Sequence, residues 1–283
     1  MKKILLLPNK ERDEGLLVSR RAETLLASLG FAPLLFPIDE GTDDGELEFI
    51  SPEQFGLIIA FGGDGTVLRA AKLSFGTGIP VVGVNMGGKG FLAEIEVSEL
   101  DRLAQIAAGE FLREERLVLE AELIREGTCL GKYWALNDAV IRGVSKVADI
   151  SVFGDGHRIL CVTGDGIVVA TPTGSTAYSL SAGGPIVEPT SDNIIVTPIC
   201  AHSIDAKSFI LSSEREVSVV IGGRKTSDVL LTIDGQQIAP LLVGDSLCVR
   251  RSEKKTVFAH LAEKSFYSRV YEKLKDGRYS QLT

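Results

Sequence analysis

The spacing of apolar positions changes near residue 114 of this 283-residue chain. Before that point, short apolar runs alternate with stretches spaced for helices. Residues 4–7, 31–36, 57–60 and 79–84 read as strands. Leu16, Leu17, Ala22, Leu25, Leu26 and Leu29 predict an amphipathic helix over 15–29, stopped by Gly30. Val67, Leu68, Ala70 and Ala71 predict a second helix ending before Gly76, and residues 98–109 a third with Ser98 as its cap. The acidic stretch 39–48 reads as a solvated loop. Strand and helix alternating at short intervals predict a parallel-sheet α/β domain over 1–113. Beyond it, short β-rich runs at 117–124, 133–142, 150–153, 159–163, 167–171, 194–199, 216–221, 229–233 and 246–251 have few helical patterns between them. Asp155-Gly156 is a hairpin signal between two of these runs. This spacing predicts a β-sandwich domain over 114–260. Phe266, Val270, Tyr271 and Leu274 return to helical spacing, so 261–283 reads as a C-terminal helix and tail packing back on the first domain.

Composition narrows the function classes. At 45% apolar and 24% charged residues the chain suits a globular fold with ample core. A net charge of −8 argues against a general nucleic-acid binder, while leaving room for an anionic nucleotide in a local pocket. Cys129, Cys161, Cys200 and Cys248 are widely spaced, which suggests neither a zinc site nor a disulfide framework and fits the cytoplasm. Lys2 and Lys3 precede an apolar run that Pro8 ends, too short for a signal peptide or a membrane span.

Three stretches carry candidate chemistry. In Gly62-Gly63-Asp64-Gly65-Thr66 a predicted strand turns through glycines into a helix, with Arg69 one turn on. That geometry aims backbone N–H groups and a positive helix end at an anion. Asp64 is out of place there, because a carboxylate repels a phosphate unless it takes a proton or holds a metal. An ordinary strand-to-helix turn, capped by Asp64 or Thr66, accounts equally well for this stretch alone. The second stretch, 164–185, holds seven hydroxyl-bearing residues between Thr171 and Ser181, with Tyr178 among them. It offers hydroxyl, amide and aromatic partners for a nucleoside, or else forms a Ser/Thr-rich turn before a small-residue helix. In the third, Asn137 and Asp138 interrupt an apolar strand, a costly burial unless something binds them or the strand bulges to solvent there. Gly83 to Lys89 imitates the front of a Walker A motif, but Gly90 stands where a metal-binding hydroxyl belongs. Gly88-x-Gly90-x-x-Ala93 likewise imitates a dinucleotide fingerprint, far from the first strand.

Taken together, Gly-Gly-Asp-Gly-Thr at 62–66, Asn-x-Gly-x-x-Gly-Phe-Leu at 85–92, Asn137-Asp138, the Thr-Pro-Thr-Gly-Ser-Thr-Ala-Tyr run at 171–178 and Asp234-Gly235-Gln236 resemble the NAD kinase family. Diacylglycerol kinases and 6-phosphofructokinases share the first motif but not the long Thr/Ser run. The chain departs from the family at Lys89, at Thr163 where a basic residue is frequent, and at Ala201 beside His202. The resemblance implies a Rossmann-like α/β domain followed by a β-sandwich. It implies transfer of the γ-phosphoryl group of ATP to the 2′-hydroxyl of the adenosine ribose of NAD. A divalent metal, Mg2+ or Mn2+, and a homodimer or homotetramer go with it. Asp64 becomes the general base, with Gly65 beside the ribose. Gly62, Gly63, Gly65 and Thr66 hold phosphates, assisted by Arg69. Asn137, Asp138, Thr176, Ala177 and Ser181 bind the adenosine portion. Asp165 and Tyr178 lie towards the other half of the dinucleotide, in a site shared with a neighbouring subunit. Ser179, Leu180, Lys146 and Gln236 complete the NAD-binding set, and the site forms between the two domains. His157 and His260 have no partners at catalytic or metal-ligand spacing and read as surface or structural. Two readings from other classes compete: a lipid kinase of the diacylglycerol type, which leaves the Thr/Ser run without a role, and a non-catalytic NAD(P) sensor, which would not need Asp64.

Overall fold

The computed structural model describes residues 2–39, 50–87, 90–202, 206–223, 228–261 and 265–274. The chain divides into two compact units, Met1–Glu115 with Lys255–Thr283, and Arg116–Lys254.

The first unit is built on parallel strands β1 (Lys3–Pro8), β2 (Ala32–Leu35), β3 (Phe55–Gly62) and β4 (Pro80–Asn85), ordered β4-β3-β1-β2. A two-residue strand β5 (Ile95–Glu96) pairs with β4, as do Val257 and Phe258 near the end of the chain's last strand. Alternate residues serve opposite faces of such a sheet. Ile4, Leu6, Ile59, Phe61, Val82 and Val84 meet Ala22 and Leu26 of α1 (Leu17–Ser28) and Leu103 and Ile106 of α3 (Leu103–Ala107) in one cluster. The other face receives α2 (Asp64–Leu73), where Val67 lies so close to Gly83 that a Cβ at 83 would sit 2.6 Å from it. Gly83 is therefore a packing glycine, and the Walker-like spacing from 83 to 89 has a structural explanation at its first residue. With both faces covered, the strands are near-continuous apolar runs.

Two helix boundaries differ from expectation. Gly15 and Leu16 take left-handed backbone, so α1 starts at Leu17, and the buried Asp13 carboxylate accepts the Val18 and Ser19 N–H groups, both at 2.9 Å. The third helix opens as a 3-10 turn over Val97–Arg102, where the Glu99 side chain accepts the Glu96 N–H; Ser98 is not the cap. The predicted loop at 39–48 lies outside the described residues beyond Asp39.

The second unit is antiparallel. One sheet is ordered β13-β12-β11-β8-β15-β16 from β8 (Asp138–Gly143), β11 (Gly166–Ala170), β12 (Asn193–Ile199), β13 (Phe209–Ser212), β15 (Val229–Ile233) and β16 (Gln236–Leu241). Facing it are β9 (Ala148–Gly154), β10 (His157–Gly164), β14 (Val217–Gly222) and β17 (Ser246–His260), with β6 (Leu112–Arg125) and β7 (Thr128–Ala135). Inward residues of both layers, such as Ile141, Val169, Leu231 and Val152, Val219, Leu247, form one buried cluster, the signature of a sandwich. The run read as one strand over 133–142 is two, broken at Leu136-Asn137. Strands β13 and β16 were not legible in the apolar spacing. The C-terminal helix α5 spans Phe266–Leu274. No helix among the described residues is long and apolar enough to cross a membrane.

Asp245 ties β6 to the turn entering β17. Its carboxylate, 2% exposed, accepts Arg125 Nε and Nη2 at 2.8 and 2.7 Å and the Leu242 N–H at 2.8 Å. The Arg125 guanidinium, helped by the Leu242 N–H against the effect of burial, holds this carboxyl below the usual carboxylate range. A depressed carboxyl stabilises the fold above its unfolded value and ceases to do so as pH falls through the folded value. Asp245→Asn is therefore expected to lose about 1.5–3 kcal/mol in urea unfolding at pH 7. The gap to the parent should begin to narrow below about pH 4, where the unfolded carboxyl protonates, and should close only as pH falls through the lowered folded value.

Candidate active site

Strand β3 delivers its chain to Gly62 and Gly63, and α2 begins at Asp64. Gly62 is obligatory, since a Cβ there would lie 2.2 Å from Thr66 Oγ1. Thr66 is buried, and Gly65 is exposed. Gly63 stands at the N-cap of α2 and has no side chain with which to cap it. The leading N–H groups are thus presented to an anion, with the positive helix end behind them. Arg69, one turn along, donates to the Asp39 carbonyl at 3.2 Å.

Asp64 does not cap its own helix. Its carboxylate reaches the loop after β4, where Oδ2 accepts the Phe91 N–H at 2.8 Å and Oδ1 the Leu92 N–H at 3.0 Å. Gly90 makes this possible, because a Cβ at 90 would fall 2.3 Å from Asp64 Oδ1. Two backbone donors on one carboxylate fix both its position and its plane, and each oxygen keeps further lone-pair capacity for another partner.

In the second unit, a cavity of about 340 Å³ opens beside the break between β7 and β8, lined by Asn137, Asp138, Arg142, Ala177, Tyr178 and Asp234 among others. That volume falls within the roughly 300–1,000 Å³ of small-ligand sites. Asp234 builds the break. Its backbone takes φ 47° in the Asp-Gly turn between β15 and β16. Its carboxylate collects three N–H groups, Leu136 at 3.0 Å, Asn137 at 2.8 Å and Asp138 at 3.1 Å. The Asn137 carbonyl accepts the Thr171 N–H at 2.9 Å. Gly174 packs against that carbonyl so tightly that a Cβ would lie 2.0 Å away. Leu136 and Asn137 thus leave the ladder, and Asp138 re-enters it as the first residue of β8, because their backbone is held by Asp234, which accounts for a polar pair inside an apolar run.

Models of the ATP-NAD kinase N-terminal and C-terminal domains match residues 39–111 and 136–261, the two segments that carry the Asp64 turn and this cavity. The chain belongs to the NAD kinase family. It is 35% identical over 284 residues to an NAD kinase of Ruminiclostridium cellulolyticum, covering 96% of this chain and 99% of that protein. It is 42% identical over 229 residues to an NAD kinase of Heliobacterium modesticaldum, covering 80% of each. Among solved structures, a yeast NADH kinase complexed with NADH superposes with a TM-score of 0.82 at 25% identity, covering 100% of this chain and 90% of that one. An NAD kinase from Archaeoglobus fulgidus in complex with ATP gives 0.73 at 26% identity, covering 95% and 98%.

Of the NAD kinase positions expected to bind the dinucleotide, the cavity brings together Asn137, Asp138, Ala177 and Tyr178, the last 37% exposed at the start of α4 (Tyr178–Ser181). Lys146, Asp165, Thr176, Ser179, Leu180, Ser181 and Gln236 lie outside its described lining. Lys146 is exposed in the turn after β8, and Asp165 is exposed between β10 and β11. Gln236 follows Gly235, which does line the cavity. Several hydroxyls of the Thr/Ser run are engaged inside the protein: Thr171 with the Leu136 carbonyl, Thr173 with Arg116, Thr176 with the Thr173 carbonyl, and Ser179 with Thr197. Ser181 is exposed and Leu180 half-buried.

Asp234 and the Phe91 and Leu92 amides escaped assignment from sequence. The Asp-Gly pair at 234–235 was a legible hairpin signal of the kind recognised at 155–156. The amides carry no side-chain signature at all. Asp234→Ala removes the acceptor of three N–H groups and is expected to raise the KM for NAD by at least about tenfold while leaving the KM for ATP nearly unchanged. Steady-state kinetics with each substrate varied in turn would show this, and equal weakening of both would contradict it.

Proposed function

We infer that this NAD kinase transfers the γ-phosphoryl group of ATP to the 2′-hydroxyl of the adenosine ribose of NAD, giving NADP and ADP. The observation that carries the mechanism is the Asp64 carboxylate, held by two backbone N–H groups at the head of a helix whose N-cap is a glycine. Phosphoryl transfer depends mainly on positioning and on offsetting charge. One carboxylate, a row of N–H donors and a cation answer those needs. The ribose oxygen forms the new bond to the γ-phosphorus, the bond to the β,γ-bridging oxygen breaks, ADP leaves, and the hydroxyl proton passes to Asp64.

The first unit supplies the base and the phosphate loop, Gly62, Gly63, Gly65 and Thr66, with Arg69 assisting. The second supplies the nucleoside cavity, with Asn137 and Asp138 for polar contacts and Tyr178 as a stacking face. Asp165, Thr176, Ser181, Lys146 and Gln236 join the binding set through the family resemblance, as does assembly into a homodimer or homotetramer. Among the described residues no group of three or more His, Cys, Asp or Glu could cage a metal. The divalent cation that the family resemblance implies would ride on the ATP phosphates, keeping several waters and needing few protein ligands. When bound it offsets charge on the phosphate oxygens. The cytosol as compartment rests on the free thiols, with Cys129, Cys161 and Cys200 exposed.

Asp64→Asn keeps the size of the side chain but removes the proton acceptor, and it sets an amide NH2 against one of the two N–H donors. NADP formation from ATP, Mg2+ and NAD is expected to fall by about 10²–10⁴-fold in kcat. A mutant as active as its parent would refute the base, and a parent that makes no NADP would reopen the lipid-kinase and sensor readings.

A further inference from the structure

The Phe91 and Leu92 amides can orient Asp64 only if their own backbone is fixed. Two residues on, it is fixed twice. The Glu94 N–H donates to the Gly83 carbonyl of β4 at 3.0 Å. The Glu94 side chain, 6% exposed, turns inward and collects donors from the far end of the chain. Its Oε1 accepts the Leu261 N–H at 2.9 Å and lies 3.2 Å from His260 Nδ1, and its Oε2 accepts Arg269 Nη1 at 2.7 Å. Arg269 belongs to α5, and its side chain is 17% exposed. A buried carboxylate with these partners holds its backbone far more firmly than a surface ion pair would.

We propose that Glu94 and Arg269 are positioning residues for Asp64, through the strap 91–94. The proposal rests on Asp64 being the base. α5 lies far beyond the Gly62–Thr66 turn in sequence, and on a purely architectural view it is a late helix of no consequence to the chemistry. The hydrogen bonds say otherwise: Arg269 holds Glu94, Glu94 holds the strap, and the strap's N–H groups set the plane of the Asp64 carboxylate. An error of about 1 Å in a reacting group can cost on the order of 10² in rate. Loosening the far end of the strap should therefore appear in kcat and leave substrate binding alone.

The test compares Arg269→Ala, Arg269→Gln and Arg269→Lys in the full chain, with Asp64→Asn alongside. The expected result is a fall of about 10–100-fold in kcat for Arg269→Ala, with the KM values for NAD and ATP within about twofold of the parent. Arg269→Lys, which can still place one charged donor on Glu94, should recover most of the rate. Amide hydrogen exchange at Phe91 and Leu92 should quicken in Arg269→Ala while the core amides of β1 and β3 stay protected. If Arg269→Ala yields no folded protein, Arg269→Gln takes its place, with the same fall in kcat expected. A folded Arg269 variant with the parent's kcat would overturn the coupling, and so would a fall in kcat that lysine does not relieve. Should Asp64→Asn keep the parent's rate, the base assignment itself is wrong whatever Arg269 does. Should Asp64→Asn lose its rate while Arg269→Ala keeps the parent's kcat, the coupling alone fails.

Discussion

Two backbone N–H groups converging on the carboxylate of Asp64 are the interaction on which the chemistry proposed for the first unit depends. A carboxylate at the mouth of a phosphate loop would by itself repel the phosphates that the helix end attracts. Bound from behind by Phe91 and Leu92, it is turned and partly offset, so that a carboxylate and a helix end suited to an anion can share one turn. Several small residues exist to allow this. Gly90 clears the carboxylate, Gly62 clears Thr66, and Gly83 lets α2 and the strap press on β4.

The second unit uses the same device for a different end. There too an aspartate gathers N–H groups, but Asp234 is the builder and its neighbours Asn137 and Asp138 line the cavity. Three donors on one carboxylate take Leu136 and Asn137 out of the strand ladder and seat Asp138 at its edge. With the backbone there already satisfied, the side chains of Asn137 and Asp138 can form a polar stretch of the cavity wall.

Much of this was legible in the chain itself, for a physical reason. Periodicity reports burial, so the parallel strands of the first unit, buried on both faces, and the alternating strands of the sandwich could be read off the residues. The glycine turn at 62–66 and the Asn137-Asp138 interruption were legible because each breaks a local rule. What stayed hidden depends on pairing across sequence. Strands β13 and β16 are short and carry little apolar pattern, and β16 follows from the Asp234-Gly235 turn alone. The start of α1 is set by a left-handed Leu16 and a carboxylate from Asp13, neither of which the helical spacing reveals. Glu94 looks like any charged residue until Leu261 and Arg269 are beside it.

The first unit is discontinuous in sequence: residues up to Glu115 belong with those from Lys255 onward. During synthesis β1 to β4 leave the ribosome long before Val257 and Phe258, which pair with β4, and before the donors that fix Glu94. The intervening 116–254 segment is continuous and holds its own core, so it can consolidate first. The opening strands must wait with an incomplete sheet edge, a closure of high contact order and correspondingly slow. The seat of Asp64 is thus among the last features of the molecule to be completed. A nascent chain has the second unit's cavity before it has a fully anchored Asp64; on the proposed mechanism it is in that interval a binder rather than a catalyst.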